Sequence, residues 1–364
     1  MEKLAPGVQN YSWGSATALP ELLGVEPDGK PWAELWVGDH PRLASSVVST
    51  GQKLDVGLPF MLKILAADQP LSIQSHPSLE QARSGYRREN DAGVPIDAAN
   101  RTYRDANHKP ELICAVTQFE ALCGFRQPEL ILADIASVPA LSELTAILSE
   151  ASSPQAGLEA AVRFLLELES DAAAAMVGTV SESFELTRRL AEIHPGDPGA
   201  IVALLLNHLV LAPGQAVFLG AGNLHAYLQG VGVELMANSD NVVRGGLTEK
   251  HIDVNELMAV VDFSPLEPFV QTAVGPVHRF EAPVVDFSLV RSEIYESSVI
   301  DIAEPELIMV TEGSVRLLSS SGGSVDSGRQ EVMLNQGEAA YLVPSDGSLT
   351  VDGSGVAWRA TSGQ

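Results

Sequence analysis

The 364-residue sequence predicts a mainly β fold broken by a helical insertion, with a second β-rich module following it. Three observations support this. Residues 60–125 give short apolar stretches punctuated by Pro, Gly, Asn and Asp, the rhythm of strands and turns. From about 128 to 193 the texture changes to Leu, Ala and Glu with few turn residues. Beyond Pro213-Gly214, strands and glycine turns return and continue to the end.

Strands are expected over 60–65, 71–75, 111–116 and 119–125. In the insertion, Leu158, Val162, Leu165 and Leu166 recur at helical spacing after Ser153-Pro154. A further helix is expected over 199–209 and a polar helical patch near 254–261. The segments Gly214-Gln215-Ala216-Val217-Phe218-Leu219 and Gly337-Glu338-Ala339-Ala340-Tyr341-Leu342 both read as a glycine turn followed by a strand. The match is short, but it suggests a duplicated β-barrel module of the kind found in bicupins. The expected division is one cupin-like domain from 1–127 and 199–270, a helical insertion over 128–198, and a C-terminal cupin-like domain over 271–364. No histidine follows His278, so only the first copy can carry a histidine-based metal site.

The length exceeds what one core usually supports, so two or three structural units are expected. Hydrophobic residues at 45% and charged residues at 19% indicate a folding chain rather than a disordered one. No apolar run reaches the roughly 20 residues of a membrane helix, since the longest, 201–211, contains Asn207 and His208. The start, Met1-Glu2-Lys3-Leu4, has no apolar secretion core, so a cytoplasmic location is expected. Cys114 and Cys123 form no Cys-x-x-Cys pair and fit buried, reduced thiols better than a bridge. A net charge of −25 repels nucleic acid and anionic membrane surfaces. A phosphorylated substrate meets the same repulsion, so any phosphate site has to be built locally from a few lysines and arginines.

Strand alternation identifies the chemistry-bearing residues. In Pro70-Leu71-Ser72-Ile73-Gln74-Ser75-His76-Pro77, Ser72, Gln74 and His76 share one face. Asn107-His108-Lys109-Pro110-Glu111 sets a carboxylate and a lysine at the mouth of an apolar strand. In Gly222-Asn223-Leu224-His225-Ala226-Tyr227, His225 and Tyr227 share a face beside a glycine-rich turn. His76, Glu111 and His225 together suit a catalytic zinc, which takes three protein ligands and keeps a position open. Gln74 would be a fourth, although an amide oxygen is an uncommon zinc ligand. Taken singly, His76-Pro77 also reads as a turn, Glu111 as an edge-strand charge and His225 as a hydrogen-bonded core histidine. His108 is expected to orient the loop carrying Lys109 and Glu111, and His208 fits an amphipathic helix.

These three strings, with Val233-Glu234-Leu235-Met236-Ala237-Asn238-Ser239-Asp240-Asn241-Val242-Val243-Arg244-Gly245-Gly246-Leu247-Thr248, resemble the signature segments of the type I mannose-6-phosphate isomerase family. Tyr11-Ser12-Trp13-Gly14-Ser15 and Ala33-Glu34-Leu35-Trp36-Val37-Gly38-Asp39-His40-Pro41 are similar as well. The resemblance runs from about 9 to 127 and from 199 to 262. It implies zinc held by Gln74, His76, Glu111 and His225, and a sugar phosphate passing between aldose and ketose through an enediol. It places Arg244 near the reacting carbons and Lys109, Tyr227, Glu234 and Asp240 in the pocket wall. It offers Lys63 and Ser72 to the phosphate and His40 to ring opening, with proton shuttling assigned to the neighbourhood of Lys109 and Arg244. Two departures stand at the pocket mouth: Glu249 where the family commonly has proline, and Asp39 where a small residue is usual. A different phosphorylated aldose, or a non-catalytic sugar-binding bicupin, are the alternatives; the second predicts damaged motifs, and these are intact.

Overall fold

The computed structural model describes residues 1–319 and 330–363. Of the expected C-terminal domain 271–364, residues 320–329 and 364 therefore lie outside the described residues. Two sheets dominate, one of eleven strands and one of nine.

The larger sheet runs through strands Val270–Thr272, Gln215–Leu219, Glu111–Ala115, His225–Ala237, Phe60–Ala67, Glu34–Val37 and Gly7–Gln9. The long strand His225–Ala237 serves two neighbourhoods. Its C-terminal part pairs antiparallel with Phe60–Ala67 and Glu111–Ala115, and its N-terminal part pairs with Ile73–Ser75 and Phe119–Phe125. The smaller sheet is built from strands between Val277 and Thr361, and it also takes in Glu2–Ala5 and Ser46–Val47 from the start of the chain.

Phe60–Ala67 is buried at every position, so both of its faces are covered. Leu62, Ile64 and Ala66 join Leu112, Leu235, Leu289, Leu307 and Trp358 in a core shared between the two sheets. Met61, Lys63 and Leu65 alternate onto the opposite face, where Met61 packs with Trp36 and Met236. A polar site on that face is thus backed by an apolar layer.

The insertion is helical as its texture predicts, with helices Pro128–Ile135, Ser142–Glu150, Pro154–Leu166, Ser170–Ser181 and Glu185–Ile193. Ser153 caps Pro154–Leu166 by accepting from the Ala156 N–H, and the proline at the helix start loses no hydrogen bond there. Leu158, Val162 and Leu165 form one core with Ile73, Leu122, Leu224 and Leu247 of the sheet region. Both cysteines are buried free thiols, as expected, on strands Glu111–Ala115 and Phe119–Phe125 of the larger sheet.

One expected element is different. Residues 199–209 do not form a continuous helix: Gly199–Val202 is a short helix, 203–205 a 3-10 turn, and Leu206–Leu211 a strand. Leu206 and Leu211 are buried while His208 and Val210 face outward, and the strand pairs with Phe119–Phe125. A short apolar run reads equally as helix or strand, and the neighbouring strand decided the outcome. His208 therefore lies on a sheet, with Nε2 2.6 Å from Glu120 Oε1, and not on an amphipathic helix.

Candidate metal centre and active site

Strand pairing assembles the site. His225 lies directly opposite Gln74, and Gln74 opposite Arg244, so these three side chains leave the sheet on one face. Trp36, Lys63 and Glu234 likewise form one row.

His76, Glu111 and His225 come together, and each is almost wholly buried. Nδ1 of His76 lies 2.7 Å from the Asn241 carbonyl oxygen, and Nδ1 of His225 lies 3.0 Å from that of Asn223. A carbonyl only accepts, so both Nδ1 atoms carry the proton and both Nε2 atoms present lone pairs. His76 Nε2 is 3.4 Å from Glu111 Oε1, and His225 Nε2 is 3.4 Å from Glu111 Oε2. His76 Nε2, His225 Nε2 and Glu111 Oε2 are buried with no hydrogen-bond partner among the described residues. Three acceptors facing one another are stable only around a cation. Ligands 2.0–2.2 Å from a tetrahedral ion sit about 3.3–3.6 Å apart, which matches the 3.4 Å between His225 Nε2 and Glu111 Oε2. The donor set therefore fits a divalent metal with N and O preference.

The electrostatics agree with this. Burial, helped by the nearby Lys109 ammonium, pushes the His76 imidazole down to about 4, so it is neutral and able to ligate at physiological pH. Burial alone would push Glu111 up, but Lys109 holds its carboxyl well below the usual range. Lys109 Nζ donates to Glu111 Oε1 at 2.5 Å, which leaves Oε2 for an ion.

Next to the trio, and lined by its neighbours Gln74 and Lys109, opens a cavity of about 650 Å³. Lys63, Ser72, Gln74, Lys109, Asp240 and Arg244 all line it. Tyr227, Glu234 and His40 stand behind this wall. Tyr227 donates to Glu234 Oε1 at 2.8 Å. His40 packs edge-on to Trp36, with its Nε2 3.9 Å from Asp240 Oδ1. His108 turns to Asp286, 3.0 Å from each carboxylate oxygen, and so ties the Lys109 loop to the chain leading into the smaller sheet.

The family profile described as phosphomannose isomerase type I, catalytic domain, matches residues 1–56 and 48–128. The mannose-6-phosphate isomerase of Escherichia coli (strain K12) is 38% identical over 400 residues, covering 98% of each chain. The chain belongs to the mannose-6-phosphate isomerase family. The human mannose-6-phosphate isomerase is 32% identical, over 86% of this chain and 87% of its own. A crystal structure of zinc-bound mannose 6-phosphate isomerase superposes with a TM-score of 0.90 at 34% identity, covering 100% of this chain and 99% of that one. The apo enzyme of Salmonella typhimurium gives 0.90 at 35% identity, with the same coverage.

Against the site expected of a mannose-6-phosphate isomerase, Lys63 calls for revision. Its Nζ lies 2.8 Å from Glu234 Oε2 and 3.3 Å from Glu34 Oε1, with the side chain 6% exposed. Although burial opposes it, these two carboxylates raise its pKa well above the ordinary lysine value. That charge is already shared between two acids, so Lys63 is a poor free anchor for a phosphate. Arg104, Arg244 and Lys250 also line the cavity, and among the described residues no carboxylate pairs with any of them. Burial and the Arg104 charge lower the pKa of Arg244; burial, Arg244 and Arg104 lower that of Lys250. Arg104, Lys250 and Glu34 were not identified from the sequence. The signal available for the two cations was their closeness in sequence to Asn107-His108-Lys109 and to the Gly245-Gly246 turn in a strongly acidic chain.

Proposed function

We propose that the chain is a zinc-dependent isomerase interconverting mannose 6-phosphate and fructose 6-phosphate through an enediol. The single observation behind this reading is the buried trio His76, Glu111 and His225, with three unpartnered acceptor atoms converging beside a cavity that is lined by the neighbouring Gln74 and Lys109 and carries unpaired cations. Gln74, opposite His225 on the same face, is the fourth ligand we assign. Zinc bound there supplies a Lewis acid that polarises the sugar carbonyl and stabilises charge on its oxygen.

The remaining roles fall to this chain's side chains. Arg244 stays protonated and meets the negative charge of the enediolate. Lys109, whose Nζ reaches Glu111, is given the proton shuttle between the two carbons, which it performs from its neutral amine form, accepting the proton from one carbon and returning it to the other. Ring opening we give to the pair Asp240 and His40, since Asp240 lines the cavity and stands 3.9 Å from His40 Nε2. Arg104, Lys250 and Ser72 bind the phosphate, and Lys63 with Glu234 and Tyr227 holds the floor. The unpaired cations support this placement, because a dianion in a chain of net charge −25 needs a local positive patch.

We read the architecture as a bicupin with a catalytic module from 1–127 and 199–270, a helical insertion over 128–198 and a metal-free C-terminal module over 271–364. Gly214 and Gly337, both left-handed at φ 82 and φ 80, precede matching strands in the two sheets, which supports the duplication. Strands Glu2–Ala5 and Ser46–Val47 cross into the second module's sheet. A cytoplasmic location accords with the described residues, in which no helix is long and apolar enough to cross a membrane. A sugar phosphate is the partner proposed, and the net charge argues against nucleic acid. Metal analysis together with turnover of several hexose phosphates tests the reading. About one zinc per chain and preferential turnover of mannose 6-phosphate are expected; a chain with full zinc that turns over another aldose phosphate faster would overturn the substrate assignment.

A further inference from the structure

The helical insertion reaches the cavity through the loop after helix Glu185–Ile193, where Ile193 and His194 form part of the wall. In that loop Asp197 accepts two backbone hydrogen bonds. Its Oδ1 takes the Gly199 N–H at 2.7 Å, and its Oδ2 takes the Thr248 N–H at 3.0 Å. The second bond crosses from the insertion to the turn that follows Arg244.

That turn is held in an unusual shape. Gly246 has φ 138, and Leu247 at φ 53 is the only non-glycine residue in the left-handed region among the described residues. An L-residue avoids that region unless its surroundings over-determine it, and such strain gathers at functional sites. Here the surroundings include the insertion. Leu247 is buried in a core that it shares with insertion residues such as Leu158, Val162 and Leu165, and Gly199, just after the insertion, lies so close that a Cβ on Gly246 would come 2.6 Å from the Gly199 Cα. The sheet register also slips between Arg244 and Gly246, a bulge that re-aims a side chain. Beyond the turn, Thr248 Oγ1 accepts the Lys250 N–H at 3.1 Å. The latched turn therefore has one cavity cation on each side, Arg244 before it and Lys250 after it.

We propose that Asp197 is a positioning residue, whose carboxylate latches the insertion to the Gly246–Thr248 turn and so sets the spacing between Arg244 at the reacting carbons and Lys250 at the phosphorylated end of the substrate. This rests on the reading of the cavity as a sugar-phosphate site. Without the Oδ2 acceptor the Thr248 N–H loses its partner, and packing alone holds the left-handed turn. The two cations then no longer share one fixed geometry, whereas the metal trio, carried on other strands, stays intact.

The test compares Asp197→Ala and Asp197→Asn in the full, zinc-loaded chain. Zinc content, melting temperature, calorimetric binding of inorganic phosphate, and kcat and KM for mannose 6-phosphate are measured on each, with Lys250→Met as the reference for a lost phosphate contact. Asp197→Ala should keep its zinc, weaken inorganic phosphate by about tenfold and raise KM in parallel, with a smaller change in kcat. Asp197→Asn should recover part of the loss, because its amide oxygen still accepts from Thr248. Wild-type phosphate binding in either folded variant overturns the proposal, as does a loss that merely follows the unfolded fraction. If the alanine variant fails to fold, the asparagine variant decides by the same criteria. A wild-type chain that binds phosphate without turning over mannose 6-phosphate would defeat the isomerase reading alone, and the phosphate measurement would still judge the latch.

Discussion

Replacing Lys63 with methionine keeps most of the side chain's apolar stem while deleting a charge that lies between Glu34 and Glu234. The three groups sum to −1 in the native chain and to −2 in the variant, all within side chains no more than 8% exposed. At an effective dielectric constant of about 20, the contacts at 2.8 and 3.3 Å are each worth roughly 5–6 kcal/mol of gross attraction. Much of that offsets desolvation, and removing one partner of a buried pair typically costs about 3–5 kcal/mol. At roughly 2 °C per kcal/mol for a chain of this size, calorimetry on zinc-loaded protein should show the melting temperature of Lys63→Met falling by about 6–10 °C. Glu234→Gln reverses the arithmetic: Lys63 and Glu34 remain as a neutral pair, so it should cost clearly less. The double variant Lys63→Met/Glu234→Gln should be more stable than Lys63→Met alone. A Lys63→Met protein melting within about 2 °C of wild type would refute the buried-network account. A selective loss of inorganic phosphate binding in Lys63→Met, with none in Lys250→Met, would return the anchor role to Lys63.

His225→Ala should lose both zinc and activity, as read by metal analysis with turnover, because it removes one of three converging donors; full activity in a metal-free variant would contradict the site. Arg244→Ala should lower kcat by roughly 10²–10³ with zinc retained, and lysine there should rescue it in part, since a charge remains while the planar fork is lost. Burial pushes Glu120 up, but hydrogen bonds from His208 and Arg189 prevail and bring it to about 2. A carboxyl depressed on folding stabilises the fold above its unfolded value of 4.5, and that contribution fades as pH falls from 4.5 toward 2. After allowance for the half-exposed partners it should amount to about 1–2 kcal/mol, so the stability gap between wild type and Glu120→Gln should close as pH falls through that window. Glu338→Gln should leave turnover nearly unchanged, because Glu338 pairs with Lys3 at 2.6 Å in the smaller sheet; a collapse in rate with zinc intact would give the C-terminal module a catalytic role.

What the chain disclosed by itself was whatever depends on near neighbours. Alternation along a strand is a local property, so Ser72, Gln74 and His76 could be put on one face from spacing alone, and the structure pairs Gln74 with His225 on that face. The insertion's helices were legible in the same way, through a serine cap, a proline at the first turn and leucines at helical intervals. Tertiary structure decided what depends on partners distant in sequence. Leu206–Leu211 became a strand because Phe119–Phe125 lay ready to pair with it. Lys63 stood as a phosphate anchor by resemblance until Glu34 and Glu234, 29 and 171 residues away, were seen to close on it. Arg104 and Lys250 look like ordinary surface charges until the cavity gathers them, and Asp197 reads as a loop acid until the Thr248 N–H meets it. A charge's role is set by the field of its spatial neighbours, which a linear sequence does not order; a side chain's facing direction is set by backbone geometry, which it does.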